Sequence, residues 1–164
     1  VSGLSGTTTI TVTVSDGVLT AQDTFTLSVN AMYLSWATGA ESFGGDANRD
    51  GVADGMAWIL GASSPSVNAS TLLPAQNKDE SFLSLNFKRV NVYSPAKLYL
   101  QFGYDLTNWT EYEIPATSNS NIGAGIEVIV VKDLPNPDQV TVKVPTALES
   151  TKGTLFLRLS ATNN

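Results

Sequence analysis

The chain has 164 residues, nine basic and fifteen acidic, for a formal charge of −6, with neither His nor Cys. Without them there is no imidazole base, thiol nucleophile or disulfide, which excludes serine triads, thiol proteases and zinc sites. No basic cluster could follow a phosphate backbone and no apolar run could span a bilayer, so neither nucleic-acid binding nor a membrane span is expected. The length suits one sizeable core. A charged fraction of only 15% beside abundant Gly, Ser, Thr and Asn is the profile of a secreted, turn-rich β protein. Extracellular or cell-surface localisation is therefore the expectation. The start at Val1, without a signal peptide, suggests a mature or excised segment of something larger.

Residues 1–31 read as an N-terminal β arm. Thr8, Ile10, Val12 and Val14 alternate with Thr7, Thr9, Thr11 and Thr13, Asp16 and Gly17 supply a reversal, and Phe25, Leu27 and Val29 alternate with Thr24, Thr26 and Ser28. A hairpin this small buries too little surface to be stable alone, so it needs a partner. The stretch TTTITVTVSDGVLTAQDTFTLSVN resembles the last two strands of a cadherin-like or immunoglobulin-like repeat of bacteria.

Residues 32–62 form a helical segment around a spaced set of oxygen donors. A turn over residues 32–36 would put Tyr33 and Trp36 on one face. In GDANRDGVADG, Asp46, Asn48, Asp50, Val52 and Asp54 occupy positions 1, 3, 5, 7 and 9 of a calcium loop. Gly51 stands at the sharp turn, and Val52 need offer only its backbone carbonyl. Three carboxylates within nine residues repel one another unless a cation is near. Position 12 holds Ala57 where a bidentate Glu is expected, so a further donor such as Glu41 or a carbonyl would have to complete the shell. The competing reading is an Asp/Asn/Gly turn capping a helix at Asp54. The loop resembles the single calcium loops of dockerin-type and thrombospondin type 3 repeats. That resemblance implies calcium as a structural cofactor, without cohesin binding, since no second loop is present. Met56, Ile59 and Leu60 have helical spacing, and Gly61 suits a C-cap.

Residues 63–79 read as a surface loop, and residues 80–164 as a sandwich. Six runs, 82–88, 97–104, 109–114, 126–132, 139–144 and 154–161, show β-branched or aromatic alternation, punctuated by Pro95, Pro115, Pro135, Pro137 and Pro145. Leu98, Leu100, Phe102 and Tyr104 should share a face, as should Val140, Val142 and Val144. The strands LSLNFKR, LYLQFGYDLTNWTEY and TLFLRLSA, following the calcium segment, resemble the C-terminal β-sandwich modules of large secreted bacterial proteins. That implies architecture and location more than an activity.

Trp109, Tyr112, Tyr99 and Tyr104 invite comparison with a sugar-stacking platform, against which core packing is the plainer reading. Glu111 and Glu113 lie on one strand face, whereas hydrolytic carboxylates face each other across a cleft, so they read as solvated. Asn68-Ala-Ser70 and Asn108-Trp-Thr110 fit the glycan acceptor pattern, making glycans a candidate partner.

The expected fold is all-β: an antiparallel β-sandwich, immunoglobulin-like or jelly-roll-like, with an N-terminal β-hairpin arm and a short calcium-loop and helix segment. The expected function is non-enzymatic: an extracellular structural subunit of a self-assembling head-to-tail filament, a homo-oligomer joined through residues 1–31 and stabilised by calcium. The alternative is a carbohydrate-binding or surface-anchoring C-terminal module of a larger secreted enzyme or adhesin.

Overall fold

The computed structural model describes residues 6–29, 33–37, 42–90, 96–134, 136–150 and 153–163. Residues 1–5 and 30–31 of the arm, Met32 and Glu41 lie outside them. The described residues form three antiparallel sheets and three short helices. The chain is an all-β, sandwich-like protein.

The N-terminal strands are β1 (Gly6–Ser15) and β2 (Thr20–Val29), paired from Gly6 opposite Val29 to Ser15 opposite Thr20. Asp16 sets the reversal, its carboxylate accepting the Val18 and Leu19 amides at 2.9 and 2.7 Å while Gly17 takes φ +94°. The register places Ile10 opposite Phe25 and Thr8 opposite Leu27, so the apolar alternation of both strands falls on one face. That face is open: Val12, Val14, Phe25 and Leu27 are 47, 67, 54 and 47% exposed.

Helix α1 (Tyr33–Trp36) and helix α2 (Asp54–Ile59) flank the oxygen-rich loop. Gly61 takes φ +96° just past α2, as its C-terminal position requires. Tyr33 sits among Trp36, Phe43 and Trp58 with ring centroids 5.8, 4.9 and 5.5 Å away, and the Trp36 indole donates to the Ala62 carbonyl at 2.6 Å. Tyr33 and Trp36 thus pack against the loop and helix segment.

The sandwich comprises β3 (Ala75–Lys78), β4 (Phe82–Arg89), β5 (Ala96–Gly103), β6 (Thr110–Glu113), β7 (Glu127–Val131), β8 (Asp138–Pro145) and β9 (Phe156–Asn163). One sheet runs β3-β4-β8-β7 and the other β6-β5-β9. All six expected strands are present, with shifts of one or two residues at most ends. The stretch expected as loop also holds a 3₁₀ turn, Ser70–Leu72, and β3, while helix α3 (Thr146–Ser150) follows Pro145. The inner faces carry the alternation that the pleat demands: Leu98, Leu100 and Phe102 from one sheet meet Leu85, Phe87, Val128, Val140, Val142 and Val144 from the other. Each fully buried aliphatic side chain contributes about 1.5–3 kcal/mol relative to exposure. Trp58, Ile59 and Leu60 belong to the same cluster, so α2 is anchored in the sandwich core.

Candidate functional site

The loop between α1 and α2 makes two sharp turns, with Arg49 at φ +60° and Gly51 at φ +86°. They fold its donors inward onto the loop's own amides. The Asp46 carboxylate accepts the Asp50 and Gly51 N–H groups at 3.1 and 2.9 Å. The Asn48 side chain accepts the Asp50 N–H at 3.0 Å and donates to the Val67 carbonyl at 2.9 Å. Asp50 accepts the Ala69 and Val52 N–H groups at 2.6 and 2.8 Å and the Asn48 amide at 3.1 Å. The Ala69 bond, then those of Val52 and Asn48, hold the Asp50 carboxyl below its ordinary pKa. Asp54 is buried, its carboxylate accepting the Ala47 N–H at 3.2–3.3 Å, while its own N–H donates to the Gly45 carbonyl at 2.6 Å.

Chemically the set is all-oxygen, as a hard cation requires; the two Asp46 oxygens accept one described amide each and keep a lone pair, whereas one Asp50 oxygen already accepts both the Ala69 and the Asn48 amides. Among the described residues, however, no group of three or more Asp, Glu, His or Cys side chains is placed so as to hold a metal ion. Ala57, at the position where a bidentate Glu would stand, is buried with Val52, Ala62 and Ala69 and has no ligand oxygen to offer. The turn-and-cap reading gains no support at Asp54, because the residue capping α2 is Ala53, with no side-chain capping bond.

The four aromatic residues considered for a platform do not share a face. Tyr112 stacks on Phe102 at 6.1 Å and Tyr104 meets Phe102 edge-on at 6.4 Å, so both pack against the core. Trp109 is covered by the Arg158 guanidinium, 3.9 Å from its ring centroid, and Arg158 is itself held by Gln101 at 2.7 Å. Glu111 accepts Gln101 at 2.6 Å and Glu113 pairs with Lys97 at 2.8 Å on the exposed side of β6. Asn68 is exposed, its side-chain oxygen accepting the Ser70 hydroxyl at 2.6 Å, whereas the Asn108 amide donates to Asp105 at 3.1 Å.

Two features were not anticipated from the sequence. Arg89 and Asp138 face each other across β4 and β8, 6 and 1% exposed. Arg89 donates to the Pro115 carbonyl at 2.9 Å, and one oxygen of Asp138 pairs with Lys132 at 2.7 Å while the other has no hydrogen-bond partner. The second is a seam between β9 and the β3–β4 side of the sandwich. It opens into clefts of about 370 and 320 Å³ that share Met56, Leu73 and Leu159.

The fold and these sites define an all-β sandwich-like protein with an oxygen-rich loop and an open two-stranded arm. Comparison with protein-family models, curated proteins and solved structures finds no match for the chain.

Proposed function

We propose that this is a non-enzymatic, extracellular structural module that assembles with copies of itself through the β1–β2 arm. One observation carries the reading. A two-stranded sheet presents an apolar row to solvent, broken by Asp23 opposite Val12, with Val12, Val14, Phe25 and Leu27 each about half exposed or more. Such a hairpin is marginal in water without a covering element. Strand addition is the natural cover, because main-chain ladder bonds supply affinity and the alternating side chains set register. Donor and acceptor surfaces differ, so the contact is heterologous and repetition gives an open filament unless the rotation closes a ring.

The donor spacing supports calcium at Asp46, Asn48, Asp50, Asp54 and the Val52 carbonyl, where binding would draw the three carboxylates together, screen them and stiffen the link between the arm and the sandwich. With no bidentate ligand at Ala57 the affinity belongs at the weak extracellular end, about 10⁻⁴ to 10⁻³ M. At a free concentration ten to a hundred times that value, binding to the folded state alone adds about 1.4–2.7 kcal/mol. The carbohydrate-binding alternative has less behind it, since its best ring, Trp109, lies under Arg158.

Sedimentation and electron microscopy of the full chain with calcium test the reading. Fibres or concentration-dependent oligomers are expected, lost in Val12→Asp/Phe25→Asp. A chain that stays monomeric at high concentration with calcium present refutes assembly, and a melting temperature indifferent to calcium and chelator refutes the cation.

A further inference from the structure

Resting on that reading, we infer that the acceptor for the arm is the free edge of β9 and the apolar seam beside it, on a second copy of this chain. The sandwich has four edge strands and they are not alike. β3 and β6 are four residues each, and Pro74 precedes β3. β7 is capped along its outer side: Asn119 and Val128 exchange two bonds of 2.8 Å, and the Val130 N–H donates to the Ser118 hydroxyl at 2.9 Å. β9 is eight residues long and among the described residues pairs only with β5. Short strands, Pro and covering strands are the usual ways to blunt an edge; β9 is long and free of Pro, and among the described residues α2 packs beside it without a backbone ladder bond to its outer edge.

The side chains beside this edge match the arm. Leu157, Leu159 and Ala161 point toward the core from β9 but remain partly exposed, and Leu73, 49% exposed, faces them across the two clefts with Met56 between. The two-stranded arm, laid along β9 by one of its ten-residue strands, extends the three-stranded β6-β5-β9 sheet to five. It also brings the row Ile10, Val12, Val14, Phe25 and Leu27 onto the open side of the seam, because side chains alternate between faces. Charge agrees. The arm from Gly6 to Val29 carries Asp16 and Asp23 and no basic residue, while Arg158 of β9 lines the seam. The occupant is a second copy, since this chain's own arm keeps its apolar face in solvent and leaves its own seam open.

Absence of native Cys makes the test direct. Chains carrying only Thr11→Cys are mixed with chains carrying only Ser160→Cys and treated with a short bis-maleimide. In parallel, assembly is followed for Leu73→Asp and for Leu134→Asp, a 75% exposed control outside the seam. Expected are covalent dimers formed from the mixture and not from either variant alone, and at least a tenfold rise in the concentration needed to assemble for Leu73→Asp only. If Val12→Asp/Phe25→Asp abolishes assembly but the mixture gives no dimer and Leu73→Asp assembles normally, the seam is the wrong acceptor while the arm reading stands. If no variant changes assembly, both fall. If a chain carrying Thr11→Cys and Ser160→Cys together links only within itself, the second copy is the wrong occupant. Should Leu73→Asp unfold, the cross-link alone decides.

Discussion

Replacing Arg89 with Met isolates the buried polar pair from everything around it. The guanidinium is 6% exposed, donates to the Pro115 carbonyl at 2.9 Å and to the Ile114 carbonyl at 3.4 Å, and faces Asp138 across the β4–β8 ladder. Burial pushes the Arg89 pKa down and the Asp138 charge pulls it back only in part. A hydrogen bond from a charged donor is worth about 1.5–3 kcal/mol. The through-space attraction adds about 1–2 kcal/mol at an effective dielectric near 20. Relief of guanidinium burial offsets some of this, and the 1% exposed Asp138 is left beside Lys132 alone as a described cation, so the net loss is about 3–4 kcal/mol. Urea unfolding followed by tryptophan fluorescence, which reports the buried Trp58, should show the midpoint falling by about 2 M with the slope unchanged. Arg89→Met/Asp138→Leu should recover part of the loss, because no unpaired charge then remains inside. A single-variant loss under about 1 kcal/mol, or a double variant no better than the sum of its parts, refutes the reasoning.

Gly55→Ala should cost about 1–3 kcal/mol, because a Cβ there meets the Phe43 ring that packs on Tyr33, whereas Gly44→Ala, with nothing within 4 Å, should stay within about 0.5 kcal/mol; thermal melts of the two variants check the contrast. Acid should destabilise the chain. Backbone N–H groups hold the carboxyls of Asp16, Asp50, Asp79 and Asp105 below their ordinary range, from Leu19, Ala69, Phe82 and Asn108 respectively as the first cause. Their contribution is complete above the unfolded value near 3.8 and disappears as pH falls through the lower folded values. Melting temperature should thus fall steadily below about pH 4, and one that is flat down to pH 2 contradicts the assignment.

How much of this was legible in the sequence depends on whether periodicity carried it. The six longer strand runs alternate strongly, and their apolar positions are the ones buried, from Leu98 and Leu100 to Val140, Val142 and Val144. β3 escaped because AQNK at its four positions is exposed throughout, leaving no alternation to read in an edge strand held by backbone bonds to β4. The sugar platform failed on the same pleat that revealed the strands. Tyr112 lies opposite Leu100 and turns inward, while Tyr99, one position before Leu100, turns outward. The spacing of the loop donors was readable, but the tie from Asp50 to the Ala69 amide spans nineteen residues and no local pattern announces it. Arg89 and Asp138 were hidden for a different reason: each sits at a strand end among turn residues, where charge is ordinarily solvated, and only the register of β4 with β8 brings them together inside.

The loop, α2 and the sandwich form one mechanical unit, and the arm stands outside it. Asp50 is bonded to Ala69, Asn48 to the Val67 carbonyl, Trp36 to Ala62 and the Val90 N–H to the Ile59 carbonyl, so the loop is stitched to α2, to the 3₁₀ approach and to the end of β4. Met56 of α2 in turn lines both clefts along β9. A change in the loop that shifts α2 therefore reaches the seam through a single packed helix, without passing through the sheets. The arm has no comparable ties: its described hydrogen bonds run between its own strands and within its own turn, and its apolar row faces solvent. Stability follows burial, so the sandwich and loop rise and fall together while the arm contributes little until something covers it. An element that costs the fold little when uncovered, and buries a ready-made apolar row when covered, is suited to joining one molecule to the next.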